Sequence, residues 1–267
     1  MAKDRNQDFT LKPIGLVRSP VEEGNKMPVE GVPATVEVFP AYAEGLKGID
    51  SNTHLIILGW FHQAQRDVLL LERHGNPPRG VFGLRSPGRP NPIGLCSARV
   101  TGIEGRRVHL DRLDMIDGTP IADIKRYSPG WDSIFSARTS RDLEYPVGRD
   151  PAAFLRDMLV EAINFHGEAC TGAALGARMM GHAIHTWRIG KKDPDLSITW
   201  GPDGCIDDAL QAISGATIGN RRLRPGVGTA YTLSHHGRAL AFSPKDHPPD
   251  TAADILDGDI HTLFDIR

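Results

Sequence analysis

The chain has 267 residues and carries 31 Lys and Arg against 33 Asp and Glu, a net charge of -2. That length allows one large or two modest domains, each able to bury a core, and the charge balance excludes a bulk positive field that would gather long nucleic acids, though not a local basic patch. Three cysteines, Cys96, Cys170 and Cys205, are too few for a disulfide framework, the opening residues are charged, and no apolar run nears the roughly 20 residues of a membrane span; a soluble, cytoplasmic protein with no membrane partner is expected.

Along the first half, short apolar runs alternate with Gly and Pro turns. Leu11 to Arg18, closed by Ser19-Pro20, predicts a first strand. In Ala34 to Phe39, Val36 and Val38 fall on one face and Thr35, Glu37 and Phe39 on the other, the period of a half-buried strand. Leu55 to Phe61 is apolar throughout, which fits a strand buried on both faces or a short core helix, with length and flanks favouring the strand. Leu95 to Ile103 and Arg107 to Leu113 read as a strand pair around Glu104-Gly105. These elements predict a mostly-β domain, a barrel or sandwich, over residues 10–145.

The composition changes at Pro146 to Pro151, which reads as a linker to a second domain over 151–267. From Ala152 to Phe165, apolar residues recur at 154, 155, 158, 159, 162 and 163, a helical period. Ala173 to Ile189 and Ile206 to Ile213 predict two more helices, so the second domain is expected to be α+β.

Two segments of the first half combine stiff backbone with polar side chains. In Gly83 to Gly94, Pro87, Pro90 and Pro92 fix φ while glycines turn the chain, so Arg85, Ser86, Arg89 and Asn91 are held at fixed positions. Arg offers a planar fork for a carboxylate or phosphate, and Asn both a donor and an acceptor. In Leu113 to Tyr127, Asp114, Asp117 and Asp123 lie near an apolar stretch, Lys125 is close by, and Asp-Gly-Thr-Pro is a turn signal. On chemistry alone both segments would serve equally as solvated loops with weak surface ion pairs.

These segments resemble the signatures of the TrmO (TsaA-like) family of S-adenosylmethionine-dependent methyltransferases: Arg-Pro-Asn-Pro-Ile-Gly at 89–94 behind Arg85-Ser86, and Asp117-Gly-Thr-Pro120 followed by Asp123-Ile-Lys125 and Tyr127. Ile14 to Pro20 resembles the family's opening strand, and Leu46 to Asp50 through His54-Leu55 to Phe61-His62-Gln63 its middle; Arg126 stands where the family usually has proline. The resemblance implies a compact β-barrel that binds S-adenosylmethionine and works as a homodimer. The activity it implies is N6-methylation of N6-threonylcarbamoyladenosine at position 37 of tRNA, in the anticodon loop. It also implies that His62, Arg85, Ser86, Arg89, Asn91, Asp114, Asp117 and Thr119 line the cofactor pocket. Asp114, Asp117 or Tyr127 would take the acceptor's proton.

In the second half, His166 and Cys170 are four apart, a spacing that a helical turn would place on one face, and Cys205 follows on a later element. Two Cys and a His suit a borderline-soft metal such as zinc, with a fourth position left for water or a ligand. The same cysteines would also pack as small hydrophobes. His182 and His185 read as surface or helix-packing residues and His235-His236 as a loop pair. The segments 165–176 and 204–220 resemble the FmdE family, named for the E subunit of formylmethanofuran dehydrogenase. Glu168 replaces that family's second His and Thr171 its Pro, while His166, Cys170 and Cys205 match; the resemblance implies a metal more than a reaction. Three functions follow: a tRNA methyltransferase with an accessory domain, a methyltransferase acting on a small or metal-bound substrate held by the second domain, or a non-catalytic cofactor- and metal-binding module.

Overall fold

The structure, a computed structural model, describes residues 10–72 and 77–267. The chain divides into two compact units, Met1–Ser133 and Ile134–Arg267.

The first unit is a closed barrel. Its strands are β1 (Gly15–Arg18), β2 (Val32–Val38), β3 (His54–Trp60), β6 (Ile93–Glu104), β7 (Arg107–Leu113) and β8 (Pro120–Arg126), in the order β1-β2-β7-β6-β3-β8. A two-strand ribbon, β4 (Leu70–Leu71) with β5 (Arg79–Gly80), lies in the long excursion between β3 and β6. Every second residue of β2 points inward: Ala34, Val36 and Val38 are buried, while Glu37 faces out and accepts a 2.9 Å ion pair from Arg18. β3 obeys the same alternation despite its unbroken apolar sequence. Leu55, Ile57 and Gly59 are buried inside, and Ile56, Leu58 and Trp60 are half-buried outside, so the strand expected to be buried on both faces is buried on one. The hairpin of β6 and β7 turns at Gly105, which has φ +59°. Met115 and Ile121 join the inward Val, Leu and Ile residues in one core, each fully buried side chain contributing about 1.5–3 kcal/mol. The barrel closes where β1 meets β8 through only two residue pairs, Gly15 with Ile121 and Leu16 with Pro120. A short helix, α1 (Pro129–Asp132), follows β8.

The second unit has a five-stranded sheet in the order β10-β9-β11-β12-β13, built from β9 (Ser197–Trp200), β10 (Leu223–Pro225), β11 (Tyr231–His235), β12 (Arg238–Pro244) and β13 (Phe264–Ile266). β10 runs parallel to β9 and the other pairs are antiparallel. Its helices are α2 (Ser140–Leu143), α3 (Pro151–His166), α4 (Thr171–Trp187), α5 (Gly204–Ser214), α6 (Ala252–Asp257) and α7 (Ile260–Leu263). The helical period read in 152–165 lies in α3, whose first turn is set by Pro151 and capped by Asp150, a carboxylate that accepts from the Ala153 N–H at 2.8 Å. Residues 134–150, read on sequence as the end of the first domain and a linker, pack within the second unit. Lys191 lies 3.1 Å from the Asp142 carboxylate, the Lys192 N–H donates to the Asp142 carbonyl at 2.8 Å, and Tyr145 shares a 2.8 Å hydrogen bond with His185. The Pro-Gly signal at 146–151 marks the entry to α3 instead of the division between units. Among the described residues no helix is long and apolar enough to cross a membrane.

Candidate functional sites

One end of the barrel gathers both sequence signatures. The excursion leaving β3 returns to β6 when the Phe61 N–H donates to the Pro92 carbonyl at 2.8 Å. Within it, Arg89 donates to three carbonyls: from Nε to Ser86 at 2.8 Å, and from Nη2 to Val81 at 3.2 Å and Leu84 at 2.5 Å. Arg85 donates to the Leu95 carbonyl. Arg89 therefore engages the loop's own backbone and Arg85 that of β6, which fixes the Arg-Pro-Asn-Pro turn. Ser86 is buried, whereas His62 and Asn91 are exposed beside the turn.

The turn from β7 to β8 lies at the same end of the barrel. Gly59 has no side chain because Met115 Sδ lies 2.6 Å from where a Cβ would stand, with Thr119 Cγ2 at 3.2 Å. Gly118, at φ +72°, makes the corner. Asp117 ties the turn to the chain after β1: its Oδ1 accepts from the Ser19 N–H at 3.0 Å and its own N–H donates to the Val21 carbonyl at 2.7 Å. Thr119 is fully buried and its hydroxyl donates to the Ile116 carbonyl at 2.7 Å. Asp114 differs from these. Its Oδ1 is buried and accepts no hydrogen bond. Burial first, and then the Asp114 charge beside it, push the Cys96 thiol up to about 11. A buried carboxylate oxygen without a donor is costly unless something supplies one.

Tyr127 is not part of this cluster. β8 runs away from the turn, and at about 3.3 Å per residue the eight positions from Thr119 to Tyr127 span roughly 25 Å. Tyr127 lies beside His54 at the opposite end of the barrel, its N–H donating to the His54 carbonyl at 3.1 Å. Of the three residues expected to take the acceptor's proton, Asp114 and Asp117 thus stand at one end of the barrel and Tyr127 of the same chain at the other.

The second unit brings three helix ends together. α3 stops at His166, with Gly167 at φ +102° as its cap, and Cys170 is the N-cap of α4, its sulfur accepting from the Ala173 N–H at 3.3 Å. The four-residue spacing is thus a turn between two helices and not one helical face. Cys205 stands in the first turn of α5, behind the N-cap Asp203. Glycines permit the approach of α5 to α4: a Cβ on Gly172 would lie 2.5 Å from Cys205 Cβ, and one on Gly176 would lie 2.6 Å from Ala209 Cβ. A ring nitrogen of His166 and the two sulfurs lie within 4.8 Å of one another. Tetrahedral zinc with 2.3 Å bonds would set two sulfurs about 3.8 Å apart, a spacing that falls within this bound.

The electrostatics favour a cation. Cys205 stands in the first turn of α5, where the helix end on its own would favour a thiolate. Against that, burial first, and then the Cys170 thiol and the Asp203 carboxylate, push Cys205 up to about 11. A divalent ion would remove this conflict by binding the sulfurs directly. Nδ1 of His166 is 2.9 Å from Asp208 Oδ2, while Nε2 is buried with no partner. Asp208 was not legible as part of the cluster, because 42 residues separate it from His166. His182 and His185 pack on rings, His182 edge-on to Phe242 and His185 to Tyr145, while His235 stacks on Trp187.

The family model described as tRNA-methyltransferase O N-terminal domain matches residues 16–133, ending where the first compact unit ends. The model described as FmdE, Molybdenum formylmethanofuran dehydrogenase operon, matches residues 165–254. A probable S-adenosyl-L-methionine-binding protein of Archaeoglobus fulgidus is 36% identical over 226 residues, 80% of this chain and 60% of that protein, so the chain spans less than two thirds of this relative. An S-adenosyl-L-methionine-binding protein of the same organism is 43% identical over 129 residues, 46% of this chain and 93% of that protein. A crystal structure of TrmO from Pseudomonas aeruginosa covers 90% of this chain and 94% of its own at 22% identity and a TM-score of 0.43, too loose a likeness to carry an argument.

Proposed function

The chain belongs to the tRNA-methyltransferase O N-terminal domain family, and from that premise we propose that its barrel binds S-adenosylmethionine and methylates N6 of N6-threonylcarbamoyladenosine at position 37 in the anticodon loop of tRNA. The observation that carries the reading is the buried, donor-less Oδ1 of Asp114 at the end of the barrel where both signature turns lie. Relatives named for binding S-adenosylmethionine support the choice of cofactor. When bound, that group supplies an electrophilic methyl on a cationic sulfonium.

The chain's own residues divide the remaining tasks. Arg85 and Arg89 hold the Arg-Pro-Asn-Pro turn rigid through the carbonyls they bind. Asn91 and His62 are exposed there and have donors and acceptors to offer a ligand. Asp117 and Thr119 lock the opposing turn. Asp114 Oδ1 is the atom with acceptor capacity to spare, for a ligand hydroxyl or for the proton that must leave the weakly nucleophilic ureido nitrogen. Exposed Leu69, Leu70, Phe82, Ile93 and Leu95, on or beside this loop, fit burial in a homodimer. Mass spectrometry of nucleosides from tRNA of a strain lacking the protein tests the reading. The methylated threonylcarbamoyl nucleoside is expected to vanish, and an unchanged profile refutes this substrate.

The His166, Cys170 and Cys205 cluster supports a second element of the reading, a zinc ion bound by the FmdE-like unit. If the tRNA profile is unchanged, a small or metal-bound methyl acceptor held there becomes the favoured substrate. About one zinc per chain, lost in Cys170→Ser and Cys205→Ser, is expected from elemental analysis of untagged protein. Stable, metal-free protein refutes it.

A further inference from the structure

His166 has two ring nitrogens with opposite circumstances. Nδ1 lies 2.9 Å from Asp208 Oδ2, and Nε2 is buried with no hydrogen-bond partner. A carboxylate can only accept, so Nδ1 must carry a proton. If Nε2 were protonated as well, a buried N–H would point at no acceptor, a worse arrangement than an unshared lone pair. With the proton on Nδ1, Nε2 is the nitrogen that can offer a lone pair. The Nδ1–H form is the reverse of the tautomer that an unconstrained imidazole prefers.

The geometry points to Asp208 as a positioning residue: its carboxylate, on the second turn of α5, fixes His166 in the Nδ1–H form and aims the Nε2 lone pair at the space shared with the Cys170 and Cys205 sulfurs. The assignment rests on the reading of this cluster as a metal site. It adds a cause for the cluster's readiness. Ligating histidines are typically held by a carboxylate or carbonyl on the other nitrogen, which sets the tautomer and raises ligand basicity. Here that partner comes from the same helix as Cys205, three residues further on. One helix thus delivers a sulfur ligand and the support of the nitrogen ligand, and packing α5 against both α3 and α4 sets them together. Asp208 is itself 44% exposed in its side chain, so its truncation uncovers little buried surface.

The test uses the full-length chain with zinc alone as the probe. Zinc affinity is measured by competition with a chromophoric chelator, and the His166 tautomer by nitrogen-15 NMR of the metal-free protein. The wild-type chain is expected to bind one zinc and to show Nδ1–H on His166. Asp208→Ala is expected to lose about 10- to 100-fold in zinc affinity and to shift His166 toward Nε2–H. Asp208→Asn, which keeps an acceptor oxygen, is expected to retain the tautomer and most of the affinity. A wild-type affinity unchanged in Asp208→Ala overturns the role of Asp208 while leaving the metal site standing. A wild-type chain that takes up no zinc overturns the metal reading and this assignment with it. Should Asp208→Ala fail to fold, the wild-type spectrum still decides: Nε2–H on His166 refutes the proposal.

Discussion

Replacing Arg89 by Ala separates two roles for the same side chain. A cofactor ligand would leave the ligand-free loop intact when removed; a brace for the loop would not. The guanidinium donates to the carbonyls of Ser86, Val81 and Leu84. Hydrogen bonds to a charged group contribute about 1.5–3 kcal/mol each. Half-burial admits some water to the freed carbonyls, and the variant no longer bears the loss of about 2 kcal/mol of Arg rotamer entropy. The net cost is then about 2–4 kcal/mol. Because the barrel's ladders do not depend on this loop, that cost is expected as local opening. Hydrogen exchange read by mass spectrometry should show protection in residues 81–92 falling roughly 30- to 1000-fold, at 1.4 kcal/mol per tenfold. Peptides from β2 and β7 should be unaffected. Arg89→Lys should recover less than half, since one ammonium cannot reproduce the fork. Unchanged exchange in 81–92 together with lost cofactor affinity would refute the bracing role.

Asp114→Asn should weaken S-adenosylmethionine binding by about 1.5–3 kcal/mol from a wild-type affinity in the micromolar range, near 8 kcal/mol. It should leave the ligand-free melting temperature equal or higher, because the amide takes the charge off a side chain with an unsatisfied buried oxygen; a large loss of apo stability would contradict this. Gly176→Val should cost about 1–3 kcal/mol by overpacking α4 against α5 and lower zinc affinity at least tenfold, whereas Gly204→Ala, with no atom within 4 Å of its Cβ position, should do neither. Burial alone would raise the Asp142 carboxyl, but the Thr139 N–H and Lys191 hold it below its ordinary value of 3.8. A depressed carboxylate contributes stability above its unfolded value and loses it as pH falls through its folded value. Asp142→Asn should therefore cost about 1.5–3 kcal/mol in urea unfolding at pH 7, with the difference gone once the pH is well below 3.8. A gap independent of pH would exclude the ion pair as its cause.

The barrel was legible because alternation survives in a single strand: Val36 and Val38 against Thr35 and Glu37 declare an inside and an outside without reference to any partner. β3 hid its outer face because Ile56 and Leu58 are as apolar as Leu55 and Ile57, and only the barrel's curvature exposes them. Proximity across elements was harder to read. Asp117 and Tyr127 are ten residues apart in one motif, yet an extended strand carries one from the other. His166 and Cys170 do meet, but through a glycine-capped break that the four-residue spacing disguised as a helical turn. Asp208 was invisible because its partner depends on how α5 docks, and docking is set by Gly172 and Gly176, residues that carry no chemistry of their own.

The two-pair seam between β1 and β8 has a consequence for biosynthesis. Residue 15 waits for residue 121 before the barrel can close, and at roughly 5–20 residues per second that interval lasts about 5–20 s on the ribosome. Throughout it, β1 offers an unpaired edge to any neighbouring nascent chain. Only four residues long, broken by Ser19-Pro20 and bearing Arg18, that edge is a poor template for another strand. The shortness of β1 keeps the unfinished barrel from joining its neighbours.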